Sequence, residues 1–70
     1  MSAYEHDVVL AKAIDQIEKM LKHPNADCIC YSLSATERSL NIEKDIMRFY
    51  QRIGHRCNFY GNSVIIEAHN

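Results

Sequence analysis

Long apolar runs are missing from this sequence. No stretch approaches the ~20 residues a membrane span needs, and no export signal is expected, because Met1-Ser2-Ala3-Tyr4-Glu5 is polar from the start. A charge excess is missing as well. Eight Lys and Arg against nine Asp and Glu leave a net charge of −1, which excludes the basic profile of a chain held to nucleic acid by charge alone. Cysteine is scarce and odd in number. Cys28, Cys30 and Cys57 cannot frame a secreted disulfide scaffold and read as reduced thiols in a cytoplasm. A Gly-rich phosphate loop and an H-E-x-x-H helix are both absent. None of the four histidines (His6, His23, His55, His69) stands at a spacing that pairs a nucleophile with its base. The expectation is a soluble, cytoplasmic protein that is not an enzyme and carries no cofactor.

What remains is the composition of a folded domain: 47% hydrophobic residues, with only two glycines and one proline, too apolar for a disordered chain. Seventy residues allow one domain, 1–70, which buries only about 60% of the surface its unfolded chain exposes. Domains this small draw extra stability from disulfides, metals or association. With neither a disulfide framework nor a metal-site spacing in the sequence, self-association is the expected route.

The pattern along the chain predicts an α+β fold, with two helices on one face of a small three-stranded mixed sheet in the order α-β-α-β-β. Leu10, Ala13, Ile14, Ile17, Met20 and Leu21 form one apolar stripe of a helix over 4–22. Ser2 and Glu5 are spaced as a capping box, and Asp15–Lys19 and Glu18–Lys22 as acid-before-base pairs. Pro24 ends the helix. The alternating stretch 28–33 predicts a half-buried strand with Ile29, Tyr31 and Leu33 inward. A second helix ends at Ile53, with Gly54 as its left-handed cap. It starts either at the Ser34–Glu37 capping box or after Asn41, and its buried stripe is Ile42, Ile46, Phe49 and Ile53. Gly61-Asn62 suits a two-residue hairpin turn. That turn pairs Tyr60 with Ser63, Phe59 with Val64, Asn58 with Ile65, Cys57 with Ile66 and Arg56 with Glu67. Phe59, Val64, Cys57, Ile66 and Ala68 then share the core face. The strand–helix–strand unit calls for parallel strands, and the pattern leaves open whether the last strand lies outside or between them.

Three groups of residues are candidates for function. Cys28, Cys30, His55 and Cys57 are soft and borderline ligands that would suit tetrahedral zinc. Their spacing departs from the usual knuckles, and they read better as small packed residues. Lys44, Arg48, Arg52 and Arg56 make a basic stripe able to track phosphates. Glu43 and Asp45 interrupt it, so a solvated helix face is the preferred reading over nucleic-acid binding. A chain of this size rarely encloses the ~300 Å³ that small-molecule sites take. Finally, Tyr4, Val8, Val9, Leu40, Met47 and Tyr50 lie off the helix stripes, and Tyr60 and Ile65 lie on the far sheet face. Tyrosine and methionine favour interface cores. Met47, Tyr50, Tyr60 and Ile65 are therefore the expected interaction surface, for a homo-oligomer or a protein partner.

The ending, Arg52-Ile53-Gly54-His55-Arg56-Cys57 followed by Ser63-Val64-Ile65-Ile66-Glu67, resembles a pattern in small bacteriophage-encoded proteins. There a helix closing on Gly plus His or Tyr runs into a hairpin with an apolar last strand. The resemblance covers the last third of the chain and implies a binding or inhibitor role on host machinery, often as an oligomer. It assigns no functional residue.

Overall fold

The computed structural model describes residues 3–68. Helix α1, Ala3–Leu21, follows its apolar spacing. Ala13 and Ile17 are fully buried, and Val9, Leu10, Met20 and Leu21 pack against the core around them. The helix tightens at its end through His23 N–H to the Met20 carbonyl (3.2 Å), just before Pro24. Lys19 pairs with Asp15 at 3.2 Å on open surface, a contact worth little. Glu18 turns instead to the hydroxyl of Tyr50, which donates to it at 3.1 Å. The capping box assigned to Ser2 lies outside the described residues, as does His69.

Strand β1, Cys28–Ser32, alternates as expected: Ile29 and Tyr31 are buried, and Cys28, Cys30 and Ser32 are exposed. Both helix starts legible in the second half of the chain are used. Ser34 and Glu37 form a complete capping box on the short helix α2, Ala35–Ser39. Asn41 then adopts a left-handed φ of 56°, which a right-handed helix cannot run through. A new helix, α3, begins at Ile42 and ends at Arg52. Gly54 takes the left-handed conformation at φ 100°, and His55 N–H closes back on the Tyr50 carbonyl at 2.9 Å.

The buried row of α3 is Ile42, Ile46 and Tyr50, each 0% exposed. The expected stripe is corrected at two positions, because Phe49 is 41% and Ile53 56% exposed. At about 100° per residue, Tyr50 lies some 40° to one side of Ile46 and Phe49 some 60° to the other. The helix is rolled so that Tyr50 faces the core, where its hydroxyl still reaches Glu18 at the rim. Ile53 falls past the last turn.

Strands β2, Cys57–Tyr60, and β3, Ser63–Glu67, form the hairpin. Gly61 takes the positive φ (58°) that the turn demands. The observed register pairs Cys57 with Ile66, Asn58 with Ile65, Phe59 with Val64 and Tyr60 with Ser63. Glu67 N–H donates to the Arg56 carbonyl at 2.9 Å, so the whole expected alignment holds. The sheet order is β1-β3-β2, with β3 antiparallel to both neighbours. The fold is therefore α+β with a three-stranded antiparallel sheet, where a mixed one was expected. β1 and β2 do run the same way, but β3 lies between them and takes both ladders. Burial explains the choice, since Val64 and Ile66 are the only strand residues at 0% exposure among those described, and a central strand is the place for them. α1 packs on β1 and α3 on β2 and β3, while α1 and α3 lie side by side over one face.

Candidate interaction surfaces

The sheet leaves two edges, β1 and β2, neither of which carries a charge or a proline, and what sets β1 apart is the groove beside it. β1 reads Cys-Ile-Cys-Tyr-Ser, with no charge and no proline to block the approach of another strand. Beside this edge opens a groove of about 480 Å³ between α1 (Val9, Lys12, Gln16), the exit of β1 (Tyr31 to Ser34) and α2 (Thr36, Glu37). Its floor holds a buried carboxylate, Glu37. The Tyr31 hydroxyl donates to one Glu37 oxygen at 2.5 Å, and the Ser34 backbone N–H donates to the other at 2.8 Å. Burial, and then the adjoining carboxylate, push the Tyr31 hydroxyl well above its ordinary value, so it stays a donor. Glu37 is thus fully engaged in ending β1 and starting α2, which leaves the groove's shape and the open strand edge as its usable features.

A second, smaller groove of about 180 Å³ runs between the helices. Leu10 and Ile14 of α1 and Phe49 of α3 supply apolar side chains, and Asp45, Arg48 and Arg52 supply polar ones. His6 crosses between the helices, its Nε2 at 2.8 Å from Asp45 Oδ2 and its Nδ1 at 3.4 Å from Asp7. The hydrogen bond to Asp45, then that to Asp7, raises the His6 pKa above the usual imidazole value. Ile14, expected in the core stripe, is half-buried here.

The expected interaction surface divides. Tyr60 is 65% exposed and Ile65 half-buried on the sheet face away from the helices, where Ile65 has Cys30 and Asn58 as its cross-strand neighbours. Met47 is partly buried against the core. Tyr50 is no surface residue at all: it is fully closed, edge-on to Phe49 (4.9 Å between centroids) and to His55 (5.7 Å). Tyr4, whose side chain lies outside the described residues, is left aside, and Val8, Val9 and Leu40 are half-buried. Phe59, expected in the core, faces the helix side but is 37% exposed, because β2 is an edge and the helix layer does not close over it.

The four zinc-type residues are not brought together. Cys28 and Cys30 lie on the open face of β1, whereas Cys57 is half-buried on the helix side of β2, and β3 separates those strands by about 9–10 Å. His55 Nδ1 sits 2.8 Å from the Glu67 carbonyl, and burial raises the Cys57 thiol above its ordinary pKa. Among the described residues no group of three or more His, Cys, Asp or Glu is placed to hold a metal. Lys44, Arg48, Arg52 and Arg56 are all exposed, the first three in single-turn steps along α3. No described helix is long and apolar enough to cross a membrane.

Sequence reasoning missed both grooves and the His6–Asp45 tie. The Ser34–Glu37 spacing was the one signal that pointed to part of the larger groove. No protein-family model, curated protein or solved structure matches the chain.

Proposed function

We propose that this protein is a non-enzymatic interaction module that self-associates by pairing the free edge of β1 with the same edge of a second copy. The observation that carries the reading is the uncharged, proline-free edge of β1 standing open beside the larger groove. Such an edge is a template for another strand, and lasting exposure of it is a hazard that folded proteins avoid. The strand is also nearly self-complementary. An antiparallel pairing centred on Cys30 sets Ile29 opposite Tyr31 of the second copy and Cys28 opposite its Ser32. Residues directly opposite in such a pair share a face, so both Ile29–Tyr31 pairs lie on the helix side and extend the core across the junction. The two sheets become one of six strands. Pairing main-chain donors and acceptors in this way is the strand-addition mode of recognition, and a binding or inhibitor role on host machinery, as the resemblance of the ending implies, would use the same edge.

Light scattering tests the reading. Wild type gives a mass of two chains that falls to one on dilution. Cys30→Lys, which sets two ammonium groups face to face at the centre of the junction, gives a monomer with an unchanged far-ultraviolet spectrum. A wild type that is monomeric at every concentration refutes it.

A further inference from the structure

Along α3, Arg48 and Arg52 stand one helical turn apart on the rim of the α1–α3 groove. Both are exposed, and among the described residues neither has an ion-pair or hydrogen-bond partner. The carboxylate in the groove, Asp45, is already engaged by His6 Nε2 at 2.8 Å, so it does not neutralise the arginines. Beneath them lie Leu10 and Ile14, also one turn apart, and Phe49, which is 41% exposed. We propose that this groove docks an acidic amphipathic helix of a partner protein. Apolar side chains at i and i+4 of that helix enter between Leu10, Ile14 and Phe49, and carboxylates one turn apart on its flank meet Arg48 and Arg52.

Three features select this occupant. At about 180 Å³ the groove falls short of the ~300 Å³ at which small-molecule sites begin, but it offers the shallow apolar slot that takes the anchor residues of a helix. The rim charge is local and positive on a chain whose net charge is −1, so the complementarity is with acid. Guanidinium groups pair with carboxylates through two parallel hydrogen bonds, which fixes orientation as well as charge. A nucleic-acid strand fits less well, because Glu43 and Asp45 interleave with the basic stripe and the floor is aliphatic as much as aromatic. The groove shares no residue with the β1 edge, so the two proposals fail separately.

The test uses a fluorescein-labelled amphipathic peptide of about five helical turns, leucine at the anchor positions and glutamate on both flanks, titrated with the full-length protein by anisotropy at low and moderate salt. The expected result is saturable binding, weakened at least tenfold by the double variant Arg48→Glu, Arg52→Glu. A second peptide with lysine in place of glutamate should show the reverse preference, binding the double variant better than wild type. The monomeric Cys30→Lys variant should bind the acidic peptide as wild type does. Equal affinity of both peptides for wild type overturns the proposal, as does no binding of the acidic peptide. Tighter binding of a labelled oligonucleotide through the same two arginines also overturns it and reassigns the stripe to nucleic acid.

Discussion

Replacing Tyr50 by alanine should come close to unfolding the domain, whereas the same change at Phe59 should be tolerated. Tyr50 is fully enclosed, its ring edge-on to Phe49 and His55 and its hydroxyl on Glu18. Truncating an enclosed aromatic costs about 3–5 kcal/mol, because the lost transfer energy is joined by the energy of the cavity left behind. At roughly 0.05–0.15 kcal/mol per residue, a chain of this length has only about 4–10 kcal/mol to lose. Phe59 is 37% exposed on an edge strand, so water fills the gap without leaving a void. The cost there is the transfer term scaled by burial, about 1–2 kcal/mol. Tyr50→Phe separates ring from hydroxyl: it leaves the packing and removes one hydrogen bond to an exposed carboxylate, worth about 0.5–1.5 kcal/mol. Urea titration followed by circular dichroism reads all three, provided the slopes agree. A Phe59→Ala loss equal to or larger than that of Tyr50→Ala would refute the assignment of Tyr50 as the keystone of the core.

Two further outcomes follow from the buried and bridging groups. Glu37→Ala strands the Tyr31 hydroxyl and the Ser34 N–H in one step, and the lost cap plus the unsatisfied donor should cost about 2–4 kcal/mol in the same titration. The His6 tie between α1 and α3 should depend on pH in a definite direction. Because its carboxylate partners raise the folded-state pKa, its contribution is fully present below the ordinary imidazole value and fades as pH rises through the folded value. The melting temperature of wild type should therefore exceed that of His6→Gln more at about pH 6 than at about pH 8. A difference that grows with pH would contradict the assigned sign.

Local rules carried the reading of the chain as far as local physics reaches. The hairpin register was legible because a single turn, Gly61-Asn62, fixes it and one slip would turn Val64 and Ile66 outward. Helix α1 was legible from its stripe, and Ser34 and Asn41 were legible as alternative starts of one helix, although each in fact begins a helix of its own. The roll of α3 was not legible. Hydrophobicity ranks Phe49 above Tyr50, and what satisfies the tyrosine is Glu18, 32 residues away. The strand order depends on which strand can be closed on both flanks, a property of the assembled sheet. Both grooves arise from the placing of α1, beside β1 for one and beside α3 for the other. His6 and Asp45, 39 residues apart, meet only because the two helices do.

The central claim is that the free edge of β1 is a pairing edge, and amide hydrogen exchange of that strand tests it most directly. The β1 amides that do not donate to β3 point outward from the sheet, and in an isolated chain they exchange at nearly the rate of unstructured peptide. If β1 pairs with a second copy, those amides gain protection as protein concentration rises, and the gain disappears in Cys30→Lys while the amides of β3 stay protected in both. Outward β1 amides that exchange freely at every concentration would contradict the account.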